Sequence, residues 1–547
     1  MKKIIFSLKK LVVPILSIVL LGIASCTDRF EEYNTDPDGL TREQLQGDFN
    51  YIGGLYPSIQ EAYTASNMMP MIVGDYYTAG TFGGYFMSNA PNPRYANYEM
   101  NIPSLDAYHI FNVPYNSIMA PIQELKRRKA DIDAPDFWTI AKILKVAGMV
   151  KIVDYYGPIP YSQYGQGGTS VTYDKQEDVY DSFFADLDSA VIVLNDFIAQ
   201  YPDAEPFSNF DRIFDGDYNK WVRYANTLRL RLALHIVKVN PAKAKQVAEK
   251  AVAEGVMVSN SDNAILKQSF YNSLLIASLE WINIMSNASI VTYMDGYKDP
   301  RISKYFDFSS IPGYTDKYVG IRNGASILTR QLNYSNLAAS SFPDGYYTPT
   351  QVMVAAEAYF LRAEGVLRGW NMGGGTAKEY YEMGIETSFA QFGLSSAADT
   401  YINDATSKPA DCVDPVYPVN DIPALSDITV KWDEASTNEQ KLERIVTQKW
   451  IAYFPDYQEA WTTYRRTGYP KIFPVKVNNS NGKISTEIQI RRLPYPLSEV
   501  DNNPSGYATG IDYLRNEKGA SAPGETTNTG EDTGGTRLWW DVAGPNF

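Results

Sequence analysis

Arg229-Leu230-Arg231-Leu232-Ala233-Leu234-His235-Ile236-Val237 is the centre of a helix that starts near Trp221 and runs to Val239, and the residues after it announce a second helix. Asn240 is a side chain that caps helix N-termini, and Pro241 suits the first helical position. Ala244, Val247, Ala248 and Ala251 then recur on one face until Gly255 ends the pattern. The product is a helix hairpin with small residues at its contact.

The same order of long helix, tight break and long helix recurs at 352–370, Gly373-Gly374-Gly375, and Thr376 to Phe392-Gly393. Further helical stretches fit 139–155 with 177–199, and 439–464. Hairpins with alanine at their contacts suggest tetratricopeptide-like packing. No strict period of about 34 residues is visible, so a generic helical protein explains the pattern equally well.

Between the helical blocks lie stretches rich in Gly, Pro, Asn, Ser and Tyr, at 66–108, 256–350, 400–437 and 470–547. Loops of such length are uncommon unless they carry function, so the helices read as scaffold and the loops as working surface. The Gly/Thr/Glu-rich stretch 518–537 is expected to be mobile, and Arg537-Leu538-Trp539-Trp540-Asp541-Val542 to dock.

At the N-terminus, Lys2, Lys3, Lys9 and Lys10 precede the apolar run 11–23, and Ala24-Ser25-Cys26 follows. This is a charged region, a short hydrophobic region and a small-residue cleavage site. The run is shorter than the about 20 apolar residues of a membrane span, contains Pro14 and meets polar Thr27-Asp28-Arg29 at once. Small residues directly before a cysteine match the bacterial lipobox. Residues 1–25 are therefore expected to be a lipoprotein signal peptide, Cys26 the lipidation site, 26–45 an acidic, turn-rich tether, and 46–547 a single domain. Acyl chains, at about 0.8 kcal/mol per buried methylene, would be the only membrane attachment. With Cys26 acylated, Cys412 has no disulfide partner. It sits among the carboxylates of Asp411 and Asp414, which disfavour a thiolate, so it reads as a passive loop thiol.

The formal net charge is −14, and removal of residues 1–25 takes four lysines and no acid with it, which leaves −18. Nucleic acid and anionic membrane surfaces are poor partners for such a chain. Aromatic residues make up 13 %, with 41 Tyr and 9 Trp. Their flat apolar faces and polar tips suit wet ligands such as sugars and peptides, although for any single Tyr a place in the core is the better expectation. His109 and His235 are the only imidazoles, which leaves little material for a Ser-His-Asp or metal-His site; His235 lies within the first helix as a core or boundary residue. No zinc-protease, nucleophile-elbow, P-loop, dinucleotide-binding or Cys-x-x-Cys motif occurs, and no metal or cofactor is expected. A glycosidase needs only two carboxylates and stays open on counting alone.

Nine strings, in order along the chain, resemble the SusD/RagB family of surface nutrient-binding lipoproteins, and most closely its SusD-like branch. They are Asp154-Tyr155-Tyr156-Gly157-Pro158-Ile159-Pro160-Tyr161; the helix from Leu228 to Leu234; Asp299-Pro300-Arg301; Ala355-Ala356-Glu357-Ala358-Tyr359-Phe360-Leu361-Arg362-Ala363-Glu364-Gly365 with Gly369-Trp370; Gln448-Lys449-Trp450-Ile451-Ala452; Glu459-Ala460-Trp461; Tyr464-Arg465-Arg466-Thr467-Gly468-Tyr469-Pro470; Arg492-Leu493-Pro494-Tyr495-Pro496; and Trp539-Trp540-Asp541-Val542. The resemblance implies an all-α fold, with about four tetratricopeptide-like helix pairs on one side and an irregular ligand-binding half with few short strands on the other. It also implies a partner, a SusC-like TonB-dependent transporter of the outer membrane, and a place on the cell exterior. Arg362, Glu364 and Trp370 on one helix, and Trp461, Arg465 and Arg466 on another, read as ion pairs and packing anchors of the scaffold.

The function this implies is non-catalytic capture of an oligomeric nutrient, glycan first and oligopeptide second; a surface glycosidase or an interaction protein is less favoured. Aromatics beside glycines in the long loops make the candidate ligand site: Asp75, Tyr76, Tyr77 and Tyr85 in one stretch, and Trp281, Tyr293 and Tyr314 in another. The lipobox generates the first prediction. Metabolic labelling with a fatty acid should mark the wild-type protein and not Cys26→Ser, and label retained by the variant would refute the anchor.

Overall fold

The computed structural model describes residues 49–63, 68–91, 95–100, 110–167, 170–267 and 270–547. The signal peptide, Cys26, the tether and His109 lie outside the described residues. The chain divides after Ile52, and everything below concerns the unit from Gly53 to Phe547.

Four helix pairs form the scaffold. Helix α1 (Pro135–Tyr156) packs on α2 (Gln176–Gln200), and α2 on α3 (Tyr218–His235), which packs on α4 (Pro241–Glu254). Helix α5 (Ala355–Leu367) packs on α6 (Ala377–Gln391) and on α7 (Asn438–Ala452), and α8 (Tyr457–Thr467) follows α7. The expected caps are present: the Asn240 side chain accepts from the Lys243 amide, and Thr376 and Glu379 form a capping box at α6. Ala244, Ala248 and Ala251 are fully buried on one face of α4. In α6 a Cβ added at Gly384 would lie 2.7 Å from the Phe360 ring, which is how closely α5 and α6 approach. The stretch 439–464, read as one helical run, is two helices. Pro455 lacks the amide that a continuous helix needs there, and Asp456 caps the second helix by accepting from the Glu459 amide.

The irregular half holds two small antiparallel pairs, β1 (Phe86–Ser88) with β3 (Ile284–Ser286) and β2 (Ala264–Leu266) with β4 (Thr350–Met353). Two parts of it expected to be loops are helical. Ile72–Ala79 forms a π-helix that continues as Gly80–Phe82, and Ala288–Gly296 is an α-helix. Both are buried on nearly every side, so they carry no apolar stripe and show no helical period in sequence. The stretch 518–537 is another correction. Instead of moving freely it is tied down by Arg537, whose guanidinium meets Glu525 at 2.9 Å and whose amide donates to the Asn528 side chain. Gly- and Thr-rich composition does not separate a mobile tail from a hydrogen-bonded turn. As expected, the residues after it dock: Trp540 is fully buried and its indole donates to Asp154 at 3.1 Å.

Buried charge joins these helices. Glu459 of α8 accepts from Lys449 of α7 at 3.1 Å and lies 2.9 Å from the His235 ring of α3. Tyr180 of α2 bonds to the other nitrogen of that ring and to Asp154 of α1. Arg231 of α3 reaches Glu357 of α5 and Asp456 at the head of α8. Glu364 of α5 receives two bonds from Arg466 of α8, at 2.6 and 2.8 Å, and two from Arg368, at 3.0 and 2.8 Å. Arg465 lies 3.8 Å above the Trp461 ring and donates to the Asp154 carbonyl. Most of the expected anchors are thus internal scaffold contacts. Arg362 differs: it binds the Tyr380 hydroxyl rather than a carboxylate, and Trp370 stands beyond the end of α5.

Burial alone would raise the Glu364 carboxyl, but the guanidiniums of Arg466 and Arg368 outweigh it and hold the group far below the usual range. Its folded value is depressed, so the stabilisation is complete above the ordinary glutamate range, about pH 4.3, and is lost as pH falls below it. Glu364→Gln leaves Arg466 buried without a counter-charge. Denaturant melts near neutral pH should show a loss of about 3–5 kcal/mol that shrinks as the pH is taken below 4.

Candidate functional site

The expected site residues separate into three places. Tyr85 and Tyr293 belong to the core, which corrects the expectation for both. They pack on Trp450, Tyr85 stacked at 5.4 Å and Tyr293 edge-on at 5.7 Å. The Tyr85 hydroxyl donates to the Trp450 carbonyl, and that of Tyr293 accepts from the Lys471 amide. Gly84, at φ +81°, makes the turn that sends Tyr85 inward. Trp281 and Tyr314 are at the surface, 40 % and 37 % exposed, and Tyr77 is half-buried. Asp75 and Tyr76 line a cleft.

That cleft measures about 390 Å³ among the described residues. One side is scaffold: Ala147, Gly148 and Lys151 of α1, and Asp456, Tyr457 and Gln458 at the head of α8. Further lining comes from 272–274 and 348–351, the latter held by the β2–β4 pairing. Tyr305 and Phe454 add aromatic wall, stacked on each other at 4.6 Å. Asp75 accepts from Lys151 at 2.5 Å, from the Tyr155 hydroxyl at 3.0 Å and from the Tyr457 hydroxyl at 3.4 Å. Burial raises its carboxyl despite the pull of Lys151. Asp456 is likewise pushed up to about 6 by burial, against Arg231. Both oxygens of each acid are occupied: those of Asp456 accept from the Glu459 amide and from Arg231.

Beside the cleft stands a group of rings that the choice of site residues missed. Tyr271 and Tyr347 are 59 % and 57 % exposed, with Tyr346 beside them; the Tyr271 ring centroid lies 4.9 Å from that of Tyr346 and 6.0 Å from that of Tyr347. The rings are tilted against one another by 48° and 59°, so they form an angled surface. Tyr346 also bonds to Glu280, the residue before Trp281. The signal was present in sequence, because Phe270-Tyr271-Asn272 and Asp344-Gly345-Tyr346-Tyr347 place aromatics beside turn residues just as 75–85 does.

Cys412 is buried, with Ala288 and Phe473 around it and its backbone paired to Ile422. Burial, with Asp414 next, pushes its thiol up to about 12. No group of His, Cys, Asp or Glu side chains suited to a metal occurs among the described residues, and no described helix is long and apolar enough to cross a membrane.

A scaffold of helix pairs that displays aromatic rings beside a cleft is the class of molecule these features define. The chain belongs to the family of SusD and RagB outer membrane lipoproteins, whose model matches residues 32–541. Among solved structures it is similar to a chitin-binding SusD homologue from Flavobacterium johnsoniae, with 40 % identity, a TM-score of 0.83, and coverage of 91 % of this chain and all of that one. A SusD homologue from Bacteroides thetaiotaomicron is 33 % identical (TM-score 0.80, 90 % and 99 % of the chains), and one from Bacteroides vulgatus 32 % (TM-score 0.82, 91 % and 99 %). No curated protein matches the chain significantly.

The division between core and surface is measurable. Tyr85→Ala and Tyr293→Ala should each lose about 3–5 kcal/mol in chemical denaturation. Trp281→Ala and Tyr314→Ala should stay within about 0.5 kcal/mol of wild type.

Proposed function

We propose that this protein is a non-catalytic receptor on the cell exterior, anchored by a lipidated Cys26, which captures an oligosaccharide and delivers it to a SusC-like TonB-dependent transporter. The observation that carries the reading is the exposed group of Tyr271, Tyr346 and Tyr347. Exposed rings are ordinary singly, but Tyr271 against both Tyr346 and Tyr347 forms an apolar surface with hydroxyls at its edge, the chemistry that a pyranose face and its rim of hydroxyls require. Chitin oligosaccharides are the first ligands to try, because the Flavobacterium johnsoniae relative is described as chitin-binding.

Titration calorimetry with chitohexaose should give several-fold weaker binding for Tyr271→Ala and for Tyr347→Ala, and more than tenfold for the pair, at unchanged melting temperature. Variants that bind like wild type would move the site elsewhere; a preference for oligopeptides over every glycan tried would replace the ligand class. For the partner, purification in mild detergent through a tag on this chain should recover a β-barrel of transporter size. Protease added to intact cells should digest the protein if it faces outward.

A further inference from the structure

The cleft and the tyrosine group meet along two chain segments. Tyr271 leads into Asn272 and Ser273, and Tyr347 into Thr348 and Pro349, all four of which line the cleft. The Asn272 amide donates to the Tyr346 carbonyl at 2.7 Å and its side chain to the Thr348 carbonyl at 2.9 Å, so the two segments form one fixed lip. The rings and the cleft lining are therefore continuous along both segments.

Among the lining residues, Gln458 has a polar side chain free to bind a ligand. Gln458, 7 % exposed, lines the cleft from the second position of α8, and its side-chain amide makes no hydrogen bond among the described residues. Its neighbours do better: Asp75 is bonded three times, and the hydroxyls of Tyr76 and Ser273 to each other at 2.8 Å. An amide that faces the cleft with its donor and its acceptor both unused can give both to a ligand. Lys151 carries three N–H donors and has one carboxylate partner, Asp75. A volume of about 390 Å³ lies near the lower end of small-ligand pockets, about 300–1,000 Å³.

We infer that the cleft binds one sugar residue of the glycan whose other residues rest on the tyrosine group, with the Gln458 amide and Lys151 as its hydrogen-bond partners. The ring of that residue lies against Tyr457, Tyr305 and Phe454, and the Gln458 amide, which both donates and accepts, pairs with a hydroxyl or an acetamido group. This assignment rests on the glycan reading above, but it makes a separate demand: a ligand too short to span the rings still binds.

The probes are diacetylchitobiose and chitohexaose, titrated into wild type, Gln458→Leu, Gln458→Ala and the Tyr271→Ala/Tyr347→Ala pair, each checked for unchanged melting. Wild type should bind the disaccharide, both Gln458 variants should bind it about tenfold more weakly, and the tyrosine pair should bind it within about twofold of wild type while losing affinity for the hexasaccharide. Disaccharide that does not bind wild type, or that binds both Gln458 variants as tightly as wild type, overturns the inference. In that event hexasaccharide binding that still falls in the tyrosine pair leaves the glycan reading standing, and hexasaccharide binding that does not fall removes both.

Discussion

The fold depends on a line of charges buried where the helix pairs meet. Hydrophobic burial can pack α-helices in many registers, because one apolar stripe fits another at several offsets. Glu459 accepts only where Lys449 and His235 arrive together, and Glu364 only where Arg466 and Arg368 do. Each group costs free energy to desolvate and is tolerable in one arrangement alone. Burial by itself would raise the Glu459 carboxyl, yet Lys449, His235 and Arg231 together hold it well below its ordinary range. That net outcome marks the geometry as complementary.

The network also reaches the ligand side. Asp456 caps α8, pairs with Arg231 and lines the cleft, so the wall beside Tyr457 and Gln458 is fixed by the contacts that fix the helix pairs. The rest of the lining is of another kind, built from two short segments held by one β pairing and the Asn272 bridges. The molecule thus presents a rigid wall from its scaffold and an irregular one from its loops, with the tyrosines on the irregular side.

Legibility in the sequence followed exposure. Helices with one wet face announced themselves by period and cap, as at Asn240-Pro241 and Thr376-Glu379. Helices buried all round, Ile72–Ala79 and Ala288–Gly296, carry no such signal, and in sequence their tyrosines look like loop residues. Asp75 and Tyr76 do reach a cleft, but Tyr85 and Tyr293 face the other way, and a local string cannot tell which side of a buried turn a ring takes. The strings that carried the family resemblance name the charged network, with Glu364, Glu459, Arg465 and Arg466 among them; they describe how the scaffold closes and say little of what it holds. The Tyr271 and Tyr346-Tyr347 pairing joins segments about 75 positions apart, which only the fold could bring together.

Cys412 turns out to be a reporter already installed in the chain. Its thiol is buried, held protonated by its surroundings, and paired through its backbone to Ile422 between the Ala288 helix and Phe473. An alkylating reagent needs thiolate and access, and the closed fold denies both. The speed at which such a reagent marks Cys412 therefore counts the openings of the irregular half, residue by residue the part of the molecule that carries the rings, and gives a clock for its breathing without a single substitution.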